Sequence, residues 1–299
     1  MQVSDRLSLC VLGTAGLGGV WGKIDPEESI KTILIALKNG VTCIDSAPSY
    51  GDAESFVGIA LSQWEGEKPL ISTKVGRLKS YSATEGLYDY SNYGMEKSVE
   101  NSLKTLDIPV IDILFLHDPG AIHERDAERI LEKLVQFKKG GYSKKIGLGG
   151  NSPDWFKKYI TGDLFDVVME YNRLNVCWTD PLYSTLSDCK SKGIDFYAAS
   201  PLYMGLLGNR FEEYIASPPE WLQTSSIKRA EQVKMIADRY QIRLASIAHR
   251  FLLSVPENFK IVIGPKDSNQ LQQAVIDFRE GPLPKNIMEE IKGLKNDVD

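Results

Sequence analysis

The stretch Val41-Thr-Cys-Ile44-Asp45-Ser-Ala-Pro-Ser-Tyr50-Gly51 is an apolar run of strand length that ends on a carboxylate, then a turn carrying a phenol, then helix-forming residues from Ala53. The same punctuation returns twice. Pro69-Leu-Ile-Ser-Thr-Lys74 ends on an ammonium, and Ile111-Asp-Ile-Leu-Phe-Leu-His117 ends on an imidazole. Short apolar runs bounded by turn signals read as buried strands. If the three are parallel neighbours, their C-terminal ends gather Asp45, Tyr50, Lys74 and His117 at one mouth, the end where barrel enzymes carry their chemistry.

Helical patterns fill the gaps between these strands. Asp25-Pro26-Glu27-Glu28 is a helix start, with an Asp N-cap, proline at the first helical position and Glu28 where a capping box wants it. Ile30, Ile33, Leu34 and Leu37 then share one face, and Gly40 stops the helix. Phe56, Val57, Ala60 and Leu61 mark the next helix; Met95, Val99, Leu103 and Leu106 another; Ile130, Leu131, Leu134 and Phe137 a fourth, ending at Gly140-Gly141. Residues 8–12 read as the opening strand. Residues 145–149, 165–171, 194–198 and 260–263 read as the later ones, with a helix capped by Ser152-Pro153 after the first of these. Further helices are expected near 182–192, 227–239, 245–254 and 269–278. Strand and helix alternating eight times predict an α/β fold, a closed (β/α)8 TIM barrel, with residues 1–299 as one domain. Connections 76–93 and 202–224 exceed what a barrel needs and should form long mouth loops that act as lids or substrate walls.

Composition narrows the function. A net charge of -5, spread along the chain, gives no basic face for nucleic acid or an anionic membrane. Asp5 and Arg6 interrupt any signal-like segment, and no run approaches about 18 apolar residues, so a cytoplasmic protein is expected, as a monomer or small homo-oligomer. Cys10, Cys43, Cys177 and Cys189 lack metal or disulfide spacing and read as buried thiols, so no metal is expected; His123 and His249 read as loop and helix-surface residues. The glycine-rich Gly13-Thr-Ala-Gly16-Leu-Gly18-Gly19 fails the G-x-G-x-x-G fingerprint, because a start at Gly16 puts Trp21 at the third glycine. It reads equally as a ligand-approaching loop or as a plain strand-to-helix turn.

The four mouth residues suit proton transfer coupled to carbonyl reduction or alcohol oxidation. A phenol with a pKa of about 10 is a weak acid and base at neutral pH unless a cation stabilises phenolate, and Lys74 is placed to be that cation. Asp45 would keep Lys74 charged, and His117 would fix the substrate oxygen. A Schiff-base aldolase using Lys74 is disfavoured because it needs a lysine that is neutral part of the time.

The ordered set of Gly13-Thr14, Asp45 to Gly51, Ser72-Thr-Lys74-Val75, Ile111 to His117, Lys145-Ile-Gly147-Leu-Gly149, Glu170-Tyr-Asn172, Ser200-Pro-Leu-Tyr-Met-Gly205-Leu-Leu207 and Ile263-Gly264-Pro-Lys266 resembles the aldo-keto reductase superfamily over nearly the whole chain. Val75-Gly-Arg77, Asp89-Tyr-Ser91 and His117-Asp-Pro119 bring it nearest to sugar 1-dehydrogenases acting on L-galactose, L-fucose or D-threo-aldoses. The resemblance implies a catalytic tetrad of Asp45, Tyr50, Lys74 and His117. It implies hydride transfer between NAD or NADP and the carbonyl or hemiacetal carbon of a sugar or small aldehyde. A general aldehyde or ketone reductase, and a cofactor-binding sensor with little turnover, stand as alternatives.

By the same likeness Gly13, Thr14, Asn151, Asn172, Ser200, Leu202, Gly205, Gly264, Lys266, Asp267 and Gln270 are expected to hold the cofactor. Asp267 would repel a 2′-phosphate and tilt the preference toward NAD, with Lys266 pulling the other way. Trp21, Tyr81 and Tyr203, beside Tyr50, are expected to wall the substrate, although Trp21 reads equally as a plug. The chain departs from the family pattern at Gly149-Gly150-Asn151, where many relatives have Ser-Asn. Ala199 stands where an aromatic is expected, and Val168 where a glutamine is common.

Overall fold

The computed structural model describes residues 6–294. Asp25 starts helix α1 (Pro26–Lys38) as predicted, its Oδ1 accepting the Glu27 amide at 3.0 Å. Glu28 does not complete a capping box. Its carboxylate accepts the Ser268 amide at 3.0 Å and the Ser268 hydroxyl, and it pairs with Lys31 at 2.9 Å. Two donors from one distant serine outcompete the single amide a capping box offers.

Eight strands pair in parallel, each with the next, and the last pairs with the first to close a barrel. They are β1 (Cys10–Gly13), β2 (Cys43–Asp45), β3 (Leu70–Val75), β4 (Ile111–His117), β5 (Ser143–Gly149), β6 (Val167–Tyr171), β7 (Asp195–Ala199) and β8 (Lys260–Ile263). Crossovers in the first half are regular: α1, α2 (Ala53–Ser62), α3 (Asn92–Leu106) and α4 (Ala127–Lys139). Those in the second half are not. The helix expected after Ser152-Pro153 is a 3-10 run, Asp154–Tyr159, in which Phe156 stacks edge-on against Trp155 and Tyr159, with centroids 5.4 and 5.5 Å away. The next crossover begins as a 3-10 turn, Asp180–Tyr183, before the short α5 (Thr185–Ser191).

Connection 202–224 carries a kinked 3-10 turn, Tyr203–Gly205, and α6 (Phe211–Ala216), and connection 76–93 is pinned by an antiparallel bridge between Arg77 and Tyr88. After α7 (Thr224–Arg239), α8 (Leu244–Leu253) and α9 (Ser268–Glu280), α10 (Lys285–Gly293) ends the described chain. Among the described residues no helix is long and apolar enough to cross a membrane.

Alternation along the strands decides which side chains meet. Val11, Cys43, Ile113, Phe115, Val167, Met169, Tyr197, Ala199 and Val262 form one cluster inside the barrel. Their strand neighbours Leu12, Ile44, Leu114, Leu116, Val168 and Ile261 face outward into the layer beneath the helices. A period of two therefore puts Asp45 on the inward face of Cys43 and His117 on that of Phe115. Gly147 makes room for the largest interior ring: a Cβ there would lie 2.5 Å from Phe115. Burying Phe115 contributes about 1.5–3 kcal/mol, and truncating such a ring to alanine typically costs about 3–5 kcal/mol.

His249 is not a helix-surface residue. It is buried between α8 and α9, its Nδ1 2.8 Å from Asp277, a carboxylate that also accepts from Ser246 at 2.6 Å and Arg243 at 2.8 Å. Cys10, Cys43 and Cys189 are buried and unpaired, whereas Cys177 is only half-buried.

Candidate active site

Three strands deliver the charged groups. Asp45 and Lys74 are each 2 % exposed, with Nζ 2.5 Å from Oδ2. Lys74 also donates to the Ser46 carbonyl at 2.8 Å, and the Ser72 hydroxyl donates to the other Asp45 oxygen at 2.8 Å. A buried ion pair survives only when its remaining valences are filled, and here neighbouring strands fill them. Tyr50 sits above this pair, its ring centroid 4.7 Å from the Lys74 ammonium and 5.9 Å from the His117 ring, with the two rings at 88°.

The glycine-rich segment explains why Tyr50 lies where it does. Gly18 packs so closely on the Tyr50 loop that a Cβ would fall 1.7 Å from the Tyr50 carbonyl oxygen, and the Gly18 carbonyl accepts the Asp52 amide at 3.0 Å. Gly13 reaches the cavity, but Gly18 serves as a backing plate for the Tyr50 turn. Both readings of this loop therefore apply, at different glycines.

The electrostatics assign protonation states. Burial pulls the Lys74 ammonium down, but Asp45 and Tyr50 together hold it above the ordinary lysine value, so it stays charged and is no Schiff-base nucleophile. Burial pushes the Tyr50 phenol up, and Lys74 reduces that push without reversing it. Lys74 thus favours the phenolate, burial outweighs it, and at neutral pH Tyr50 keeps its proton. Burial, then the positive charges of Lys74 and Arg77, hold His117 well below the usual imidazole range, so it is neutral.

The cavity these residues border has a volume of about 270 Å³. Ser49, Arg77 and His117 line it, and each carries a buried polar atom (Oγ, Nε and Nδ1) without a hydrogen-bond partner. Buried polar groups are nearly always bonded, so three orphans on the residues of one cavity set it apart from the rest of the interior. With Gly13, Ser200 and Gly264 on the rim, these residues fit a nicotinamide group and a small reactant.

The remaining expected contacts divide. Trp21 lines the cavity and is exposed beyond it, consistent with a wall that still touches solvent. Tyr81 lies outside the lining, its hydroxyl donating to Asp52 at 2.9 Å and its ring under Lys79. Tyr203 is 6 % exposed and bonded to Trp178 Nε1 at 3.1 Å and to Ser226 at 3.3 Å, so it is a core residue, and its neighbour Met204 borders the cavity instead.

Thr14 is fully buried and donates to the Asp45 carbonyl and Ser46 hydroxyl, both at 3.0 Å, which makes it a brace for the end of β2. Asn151 spends its amide on Tyr171, donating to the carbonyl at 3.2 Å and accepting the backbone amide at 3.3 Å. Asn172 follows in a left-handed conformation (φ 59°) with a buried, unpartnered Oδ1. Leu202 and Gly205 shape the kinked turn below Met204. Asp267 is the N-cap of α9, its Oδ1 accepting the Gln270 amide at 2.8 Å, while Gln270 Oε1 accepts the Lys266 amide at 3.1 Å. With Ser268 already on Glu28, this helix start presents carboxylates rather than a vacant anion site.

Sequence reading missed Asp118, Met169 and Tyr171 as cavity residues, and it valued Arg77 only as part of a motif. Position gave a usable signal for two of them: Asp118 directly follows His117, and Tyr171 ends a strand on the inward face of Met169.

Residues 10–296 match the profile of the aldo/keto reductase family. L-galactose dehydrogenase of Arabidopsis thaliana is 26% identical over 307 residues, covering 98% of this chain and 92% of the relative. The NADH-specific methylglyoxal reductase of Escherichia coli (strain K12) is 28% identical over 296 residues, covering 90% and 89%. The solved glycerol dehydrogenase of Gluconobacter oxydans superposes with a TM-score of 0.75 at 21% identity, covering 95% of this chain and 90% of that one, a likeness of fold.

Proposed function

The chain belongs to the aldo/keto reductase family and is an NAD(P)-dependent oxidoreductase, and from that premise we propose that it oxidises the hemiacetal carbon of an aldose to the lactone, with reduction of the lactone as the reverse reaction. The observation that carries this reading is the set of a protonated Tyr50, a charged Lys74 and a neutral His117 around one cavity with Trp21 at its edge. A nicotinamide cofactor, when bound, supplies the hydride acceptor or donor; Gly13, Ser200 and Gly264 are placed to border it.

The chain's own groups manage the proton. In the reducing direction the Tyr50 hydroxyl passes its proton to the substrate oxygen, and the nearby Lys74 ammonium stabilises the phenolate left behind. In the oxidising direction the phenolate accepts the proton of the anomeric hydroxyl while the C1 hydrogen leaves as hydride. His117, neutral, directs a hydrogen bond to the same oxygen without competing for its proton. Asp45 keeps Lys74 charged throughout. Support for a sugar substrate comes from the L-galactose dehydrogenase relative, which aligns along almost the whole chain. The methylglyoxal reductase relative favours a second reading, reduction of a small aldehyde.

NAD is the proposed cofactor. Asp267 and Glu28 place two carboxylates at the first turn of α9. If the adenosine ribose lies at that turn, their repulsion of a 2′-phosphate after screening amounts to about 1–2 kcal/mol. The name of the NADH-specific relative agrees with this preference.

Purified protein assayed with a panel of aldoses and small aldehydes, in both directions and with each cofactor, tests the reading by nicotinamide absorbance. Aldose-dependent NAD reduction is expected. Turnover of simple aldehydes alone would transfer the assignment to the second reading, and the absence of hydride transfer with every substrate would overturn both.

A further inference from the structure

The mouth carries a second polar device that the proton chemistry does not use. Arg77, just past the end of β3, and Asp118, just past the end of β4, both line the cavity, and their side chains, each 18% exposed, pair with Nη1 3.1 Å from Oδ2. The guanidinium is held from behind, its Nη2 donating to the Ala83 and Glu85 carbonyls at 2.8 and 2.9 Å. Tyr88 donates to the same Oδ2 of Asp118 at 3.1 Å. Stacked on Tyr88, Tyr90 donates to the His117 and Asp118 carbonyls at 2.6 and 3.1 Å, which fixes the backbone beneath the carboxylate. Asp118 is held in a left-handed conformation, φ 49°, and its amide donates to the Gly149 carbonyl at 2.8 Å.

Two atoms of this assembly have no hydrogen-bond partner among the described residues: Arg77 Nε, which is buried, and Asp118 Oδ1. One is a donor and the other an acceptor.

We propose that the Arg77–Asp118 pair is the hydroxyl-binding arm of the substrate pocket, selecting neutral polyhydroxylated substrates by engaging a hydroxyl, or two adjacent ones, remote from the reacting carbon. The inference rests on the reading of the Tyr50 cavity as the place of reaction. A hydroxyl is both donor and acceptor, and a diol needs both kinds of partner; a guanidinium and a carboxylate with one unfilled oxygen, paired on the lining of the cavity, supply both kinds. An anionic substrate matches poorly, because both Nη atoms of Arg77 are already engaged and the Asp118 charge opposes it. The pair has no net charge and is braced on three sides, so little ordering is needed on binding. Asp118 follows His117 directly in the chain, so a substrate held by the arm is aligned with the residue that fixes its reacting oxygen. Selectivity of this kind is strong because a substrate lacking the hydroxyl leaves the second Asp118 oxygen without a partner.

The test compares L-galactose with propanal, which has no hydroxyl, in wild type and in Asp118→Asn. Asparagine tolerates the left-handed backbone, so the loop is preserved, and thermal melting verifies folding. The ratio of kcat/KM for L-galactose over propanal should fall about 10- to 100-fold, mainly through KM for the sugar, the range expected for losing a hydrogen bond to a charged group. Tyr88→Phe, which removes only a brace, should lower the ratio less.

An unchanged ratio, or an equal loss on both substrates, overturns the arm. Saturation-transfer NMR of L-galactose binding in the same two proteins gives a reading independent of turnover. Binding lost in Asp118→Asn upholds the arm even if no hydride transfer is found and the proposed reaction fails. Wild-type turnover of propanal without detectable sugar binding or oxidation overturns the arm and leaves the oxidoreductase standing.

Discussion

The two halves of the barrel build the mouth in different ways. Strands β2 to β4 end in the polar side chains Asp45, Lys74 and His117, and regular helices connect them. Strands β6 and β7 end in unusual main chain: Asn172, Ser200, Tyr203 and Met204 all have φ between 49° and 60°, although none is glycine. Irregular 3-10 turns flank these strands. The side chains proposed for the proton chemistry thus gather on one side, while a contorted backbone contours the cavity on the other. Strained φ of this kind persists only where surrounding structure over-determines it, and it clusters at binding sites.

Substitutions can separate the two modes. The largest effect belongs to the first half. Tyr50→Phe should reduce kcat by about 10²-fold or more while a cofactor titration followed by fluorescence stays within a few-fold of wild type; activity near wild type would remove the phenol from the chemistry. Lys74→Met should be comparably damaging. Because the Lys74 charge partly offsets the upward push of burial on Tyr50, its loss raises the phenol further. The pH at which residual oxidation activates should move upward. In wild type, reduction should weaken only as alkaline pH removes the phenol proton, and no limb should appear near 6.5, because His117 is held well below that value. A limb at 6.5 would mean that the imidazole titrates like an exposed one.

The next effect tests the helix start of the second half. Asp267→Ser keeps an N-cap side chain, so the melting temperature should hold while the NAD-over-NADP efficiency ratio falls by about 5- to 30-fold, the equivalent of about 1–2 kcal/mol. Glu28→Gln should move the ratio in the same direction by less, since Ser268 can still bond the amide oxygen. A preference unmoved by both changes would place the discrimination elsewhere. The smallest effect is on the backbone itself. Asn172→Ala should destabilise the protein by about 1 kcal/mol in urea titrations, the order of a left-handed penalty, and Asn172→Gly should recover most of it. Equal stability of the two variants would show that φ at this position is relaxed.

This division also sets what could be read in advance. A polar residue that ends an apolar run is conspicuous, so the meeting of Asp45, Tyr50, Lys74 and His117 and the eight-strand count were visible in the sequence. The work of Ser200 and Asn172 resides in dihedral angles that their letters do not announce. Tyr203 looked like a mouth aromatic but is satisfied in the core by Trp178 and Ser226, and Tyr81 is drawn outward by Asp52 and Lys79. His249 and Glu28 were misread for one reason: Asp277 and Ser268, their partners, are supplied by a distant helix. The Arg77–Asp118 pair was visible as two motif fragments whose meeting depends on β3 and β4 being neighbours.

The Glu28–Ser268 contact has a consequence for how fast the ring can form. It lies on the seam where β8 meets β1, together with Lys260 on the Ser8 carbonyl and Arg6 on the Arg279 carbonyl, and these bonds join residues 240, 252 and 273 positions apart. Neighbouring strands elsewhere, such as β1 and β2, pair residues about thirty apart; at about 0.6 kcal/mol for each doubling of loop length, closing the seam directly costs about 2 kcal/mol more in chain entropy. The inexpensive order of assembly is therefore to zip the sheet strand by strand and to join its two edges last, with the first turn of α1 catching the first turn of α9 as the circle completes.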